Sequence, residues 1–329
     1  MQRAPIGRAV AMAIGLIMGA STTVLAQTLK PFVVTEPVHS MDSVPFYLAI
    51  KKGFFKEAGL DVEVVTAEGG GRHIAAVIAG DAQAFIGGPE HIAFAKAKGG
   101  KDIRAVASMS NRANQYLVAG KSVTVPDGSL RDKLKGKRIA IGTRGGTAHS
   151  IYLYLVVREK LDPQQDVTLM EIALSSGRLA AVKAGQADYA GINEPLISQG
   201  VKQGAFNPPF LSMPSELGPF AYTTINVPFE LIQKEPKLVQ GLVVGLKRGL
   251  ALSFSDRAEV EKVSREEFPN IPPEDITAIL DRTLKDGLWE RTAEMPVEAW
   301  TNLHNVVRVA GTLDRDMPYD AVFYPAFLK

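Results

Sequence analysis

The stretch AVIAGDAQAF (76–85) has an echo further along the chain, AVKAGQADYA (181–190). The two share Ala-Val, Ala-Gly and a following Ala in register. Each reads as a helix end, a glycine that stops it and a short strand. GGPEH (87–91) and INEP (192–195) follow, each opening a further helix. Outward from the first copy, apolar runs predict strands at 32–34, 62–65, 82–86 and 104–107, and helical patterns at 45–58, 72–79 and 91–97. The rhythm restarts at Arg138. Such alternation argues for two α/β units, each a mostly parallel sheet flanked by helices. Beyond Pro228 only helical patterns remain (237–253, 258–268, 273–287 and 296–310), and they predict a chain that returns to cover the first unit. The β-rich runs Gln115–Val118 and Phe220–Asn226 are the expected crossings, which make a natural hinge. The expected lobes are therefore 27–118 with 224–329, and 119–223.

Residues 1–26 read as a secretory signal: Arg3 and Arg8, an apolar run from Ala9 to Ala20, then the small-residue site Val24-Leu25-Ala26. The remainder is expected to be exported, soluble and periplasmic. Without Arg3 and Arg8, 35 of the 37 basic residues face 35 acidic ones. Such a balance gives no pull toward nucleic acid or an anionic membrane. Cysteine is absent, which excludes disulfides, thiolate metal sites, a cysteine nucleophile and an acylated-cysteine lipid anchor.

In open α/β sheets, ligands bind beyond the carboxyl ends of the strands. At such positions the sequence has HSMDSVPFY (39–47), EGGGRH (68–73), GGPEH, SMSNR (108–112), TRGGTAHS (143–150), INEP and Tyr222-Thr223. The loop GTRGGTAHS (142–150) lacks the Lys-Ser/Thr pair of a phosphate loop after Gly146, and its glycines have the wrong spacing for a dinucleotide fingerprint. What remains is a helix start whose N–H groups favour an anion, with Thr147 and Ser150 nearby and Arg144 able to add a forked contact. A turn that merely needs glycine's backbone freedom is the alternative. Glu90 and Glu194 suit helix caps or ligand contacts, and Tyr47 and Tyr222 suit pocket walls or packing. His39, His73, His91 and His149 all fall in these loops, but their spacing matches no metal motif. No metal and no cofactor are expected.

The runs VPFYLAIKKGFFKEAGLDVEVV (44–65), LKGKRIAIGTRGGTAHSIYLYLV (134–156) and AAVKAGQADYAGINEP (180–195) resemble the periplasmic substrate-binding proteins of ABC importers for sulfonates, taurine, nitrate and thiamine-pyrimidine precursors. The resemblance implies a two-lobed periplasmic-binding-protein fold and a monomer that delivers one small solute to a permease with a cytoplasmic ATPase. Carried over position by position, it implies a pocket of Ser40, Met41, Asp42, Gly70, Gly71, Gly88, Pro89, Ser110, Asn111, Gly146, Thr147, Ala148 and Glu194. The loop argument adds Arg144, His149, Tyr47 and Tyr222.

The leading expectation is a binding protein, not an enzyme, for a small organic anion, a sulfonate or carboxylate, aromatic or aliphatic. A heteroaromatic ligand of the pyrimidine-precursor kind is the alternative, weakened because Trp289 and Trp300 lie in the late helices. A sensor-input protein could share this fold. An enzyme with His149 as base and Glu194 or Asp42 as its partner is the rival of another class.

Overall fold

The computed structural model describes residues 1, 28–67, 71–97 and 99–329. The expected signal segment (1–26) falls, but for Met1, outside them, as does Gly70. In the first unit, β1 (Lys30–Glu36) leads to α1 (Val44–Lys51), α2 (Phe54–Glu57), β2 (Leu60–Thr66), α3 (Arg72–Ala79), β3 (Ala84–Gly87), α4 (Glu90–Ala97) and β4 (Ile103–Ser110). The helix expected over 45–58 is thus two pieces. Gly53, in the left-handed region at φ 71°, breaks it.

The second unit holds β5 (Tyr116–Ala119), α5 (Leu130–Leu134), β6 (Arg138–Ile141), α6 (Thr147–Arg158), β7 (Thr168–Glu171), α7 (Ser175–Lys183), β8 (Tyr189–Ile192), α8 (Leu196–Lys202), β9 (Leu211–Ser212) and α9 (Met213–Glu216). The chain then returns through β10 (Thr223–Pro228) and ends in α10 (Phe229–Lys234), α11 (Pro236–Ser255), α12 (Arg257–Glu267), α13 (Pro273–Lys285) and α14 (Val297–Val309).

Two five-stranded sheets result, ordered β2-β1-β3-β10-β4 and β7-β6-β8-β5-β9. Within each the βα units pair in parallel, and one strand runs against them: β10 between β3 and β4, and β5 between β8 and β9. The two runs expected as bare crossings correspond to these antiparallel strands. Their β-rich backbones are satisfied by ladder hydrogen bonds, so the crossings fall on the neighbouring segments, 111–115 and 213–222. The sequence echo is a structural one. After α3 the Asp81 amide donates to the Ala76 carbonyl, and after α7 the Gln186 amide donates to that of Ala181, both at 2.9 Å. Gly80 and Gly185 carry the left-handed turns, at φ 93° and 68°.

The core of the first sheet is built from Phe32, Val34, Phe46, Phe55 and Leu60 against Leu242, Val243 and Leu246 of α11. Three glycines one turn apart bring α11 close. A Cβ on Gly249 would stand 2.1 Å from the Pro45 carbonyl oxygen, a backbone atom that cannot yield. Gly249→Ala is therefore expected to destabilise the protein by about 1–3 kcal/mol through overpacking, outweighing the helix propensity it gains. An unchanged urea midpoint would refute this. The late helices do not cover the first unit alone. While α11 and α12 pack on α1, α13 runs against α8 and α14 against α6, where Trp300, Leu303 and Val307 share a core with Ile151 and Leu155. Among the described residues no helix is long and apolar enough to cross a membrane.

Candidate functional site

The strand ends of the two sheets face each other across a cavity of roughly 150 Å³. From the first unit come Pro37, Val38, Ser40, Asp42 and Ser43 after β1, Ile86, Gly87 and Gly88 at the end of β3, His91 of α4, and Tyr222-Thr223 where β10 begins. The second unit contributes Thr147 at the start of α6 and Asn193 after β8. The chain bends sharply after β1: the Ser40 hydroxyl accepts from the Asp42 amide at 3.2 Å and sets a short turn, Met41–Ser43, that presents the Asp42 carboxyl. Asn114 Nδ2 donates to Asp42 Oδ1 at 2.6 Å. Gln115 Nε2 donates to the Tyr222 hydroxyl at 3.1 Å.

The wall is acidic. Burial lifts the Asp42 carboxyl to about 6, against the hydrogen bonds from Asn114 and Ser40 that hold it down. Burial also pushes the Tyr222 phenol up, helped by the negative charges of Asp42 and Glu90. Glu90 is fully buried behind Gly88, where a Cβ would strike Glu90 Oε2 at 2.1 Å. The Thr147 hydroxyl donates to Glu90 Oε1, while Oε2 has no hydrogen-bond partner. His73 and His91 stand edge to face, ring centroids 5.5 Å apart. Burial, with a smaller contribution from His91, holds His73 down at about 3, so it is a neutral imidazole. No Lys or Arg side chain lines the cavity.

This arrangement bears on the anion loop. The start of α6 does face the gap between the sheets, but Glu90, a carboxylate of the protein itself, already sits against its first residue. That placement is favourable for the helix dipole and unfavourable for a second anion.

Of the residues read from sequence, Ser40, Asp42, Gly88, Thr147 and Tyr222 meet at the cavity. Gly146 caps α6 beside it, and Gly71 caps α3 away from its lining. The rest have other work. Met41 is packed with Val44, Val260 and Ile276, and Ala148 against the shared core. Tyr47 turns to the other side of β1, its hydroxyl donating to Glu36 Oε2 at 2.5 Å. Pro89 is buried at the start of α4, its carbonyl accepting from the Ile92 amide at 3.1 Å. The Ser110 hydroxyl bonds the Arg112 carbonyl at 3.0 Å. Asn111 Nδ2 donates to Glu290 at 2.7 Å and to the Glu294 carbonyl at 2.8 Å, fastening the segment before α14. Glu194 is held by Arg282 Nε at 2.7 Å and by Ser198. Arg144 and His149 line a different cavity. Among the described residues no cluster of His, Asp or Glu could hold a metal ion. Sequence reasoning gave no site role to Asn114 or Asn193, and left Glu90 as a helix cap or a ligand contact. The orphaned Glu90 oxygen emerges only when α4 and α6 are brought together.

Two facing sheets with a small polar cavity at their strand ends define a ligand-binding protein of the two-lobed class. Residues 40–259 match the model of the NMT1/THI5-like family, and the chain belongs to that family. It is 26% identical over 296 residues to "Putative binding protein YtlA" of Bacillus subtilis (strain 168), covering 89% of this chain and 87% of that one. The structure resembles the periplasmic aliphatic sulphonate binding protein SsuA of Escherichia coli, with TM-score 0.72, 16% identity, and 90% of this chain and 92% of that one covered. It also resembles the ligand binding component of an ABC-type import system from Staphylococcus aureus with zinc bound, with TM-score 0.71, 13% identity, and 91% and 98% covered. At these identities the two structures show the fold that they share with this chain.

Proposed function

We propose that the protein captures a small hydrogen-bond-donating heteroaromatic solute, an aminopyrimidine or a close analogue, outside the cytoplasm and passes it to an ABC permease with its ATPase. The observation that carries this reading is the Asp42 carboxylate in a lining free of Lys and Arg, with a second carboxylate, Glu90, buried behind Gly88. Carboxylates accept hydrogen bonds from amino and ring N–H groups and repel sulfonates. Tyr222 and His91 offer aromatic surface. The cavity is smaller than a drug-sized pocket, which suits a single small ring. The organic anion expected from the loop is thereby displaced to second place at this site. Binding consists of the two units closing on the ligand, whose preference for the closed form shifts their equilibrium. No covalent step is involved, and the recovered ligand is expected unchanged after long incubation; a product in the mass spectrum would favour an enzyme.

Calorimetry tests the ligand class. We expect 4-aminopyrimidine to bind one to one, and ethanesulfonate and nitrate to leave that binding unaffected. Competition by either anion, or a heteroaromatic panel without a binder, would overturn the reading.

A further inference from the structure

A second cavity, of roughly 600 Å³, shares no lining residue with the one between the strand ends. Phe94 and Ala97 of α4 and Leu153 of α6 give it apolar walls. Arg144, in the turn before α6, and His149, in the first turn of α6, supply its polar ones. We propose that this cavity is a second binding site, for an amphipathic organic anion such as an arylsulfonate or arylcarboxylate, and that its occupation strengthens closure on the solute in the first.

The side chains support this in two ways. The Arg144 guanidinium pairs with no carboxylate among the described residues, since Glu171 receives the Arg144 backbone amide instead, at 2.9 Å. His149 is only 4% exposed, and its Nδ1 is buried without a partner. Glu171 lies on the Nε2 side of that ring at 3.7 Å, and His149 lines the cavity beside Arg144. Asp314 also lines the cavity, but it is exposed and paired with Arg315 at 3.3 Å, which offsets its charge. A single cation set among apolar walls selects an anion that carries a ring or chain, because a small inorganic ion would leave those walls wet.

The walls come from both units: α4 and the segment after α14 on one side, Arg144–Leu153 on the other. A ligand touching both favours the closed arrangement, so it must tighten the first solute, and that solute must tighten it by the same factor. This coupling rests on the closure mechanism proposed above, whereas the site itself does not.

The experiment is calorimetry with p-toluenesulfonate on the full chain, alone and with 4-aminopyrimidine present, together with the imidazole NMR signals of His149. We expect one-to-one binding that moves the His149 signals, weakens at least about tenfold in Arg144→Ala, persists in Asp42→Ala, and tightens when aminopyrimidine is present. No binding at millimolar concentration, or unchanged affinity in Arg144→Ala, overturns the second site. Competition with aminopyrimidine, with loss of p-toluenesulfonate binding in Asp42→Ala, places the anion between the strand ends and overturns the aminopyrimidine reading as well. Binding without coupling overturns only the effector role.

Discussion

Replacing Asp42 with alanine is expected to weaken aminopyrimidine binding by about thirtyfold or more, or roughly 2 kcal/mol. The substitution removes an acceptor from a desolvated site and leaves Asn114 Nδ2 without its 2.6 Å partner. The same carboxyl makes a pH prediction. It is the ionised form that accepts hydrogen bonds, and burial has raised its pKa to about 6. For a ligand whose own charge is constant, affinity should hold above that value and fall as the pH drops through it. Stability should move the other way. A carboxyl whose folded pKa lies above its unfolded value of 3.8 binds its proton more tightly when folded, so its contribution worsens as pH rises from 3.8 to about 6 and stays unfavourable above. Asp42→Asn removes that burden. It should melt at a higher temperature at neutral pH while binding less well, with a flat pH profile. A variant that loses stability and retains affinity would show that the carboxylate serves folding and not the ligand.

Much of the fold was legible because its signals are local. Gly80 and Gly185 stop helices wherever they stand, and the apolar runs of β1, β3 and β6 need no partner to be recognised as strands. The antiparallel placing of β5 and β10 was not legible, since pairing direction depends on where the chain goes afterwards. The site divides in the same way. Asp42, Gly88 and Thr147 could be read from their position after strands. Met41 and Tyr47, near neighbours of Asp42, could not be separated from it. The short turn that presents Asp42 sends Met41 into the core and Tyr47 toward Glu36. The carboxylate behind the cavity was not legible for a related reason. Arg144 was visible in the loop, whereas the Glu90 that meets Thr147 lies 57 residues away in sequence.

Glu194 and Arg282 yield the second large effect. Their side chains meet at 2.7 Å across the flank where α13 approaches α8, with Glu194 only 2% exposed and Arg282 31%. Removing the arginine leaves a buried carboxylate supported only by the amide and hydroxyl of Ser198. Breaking a buried pair in this way costs about 3 kcal/mol even at the lower end, where the partial exposure of Arg282 places it. The two units can relieve that cost by parting, which lets water reach Glu194. Arg282→Met is therefore expected to shift the ligand-free protein toward an open form, seen as a larger radius of gyration in solution scattering. Apparent affinity for aminopyrimidine falls with the fraction closed, on the order of a hundredfold at that cost, although Arg282 does not line the cavity. On the same flank, Lys202 reaches Glu274 at 2.9 Å and Asp275 at 3.2 Å, but with its side chain 55% exposed. An ammonium this exposed is well solvated, so its pairs contribute about 0–1 kcal/mol even though the Asp275 side chain is only 8% exposed, and Lys202→Ala should change affinity several-fold at most. If Arg282→Met and Lys202→Ala behave alike, burial of the Glu194 pair does not govern closure, and the latch lies elsewhere on the interface, with the Tyr116–Asp286 hydrogen bond at 2.5 Å the next contact to break.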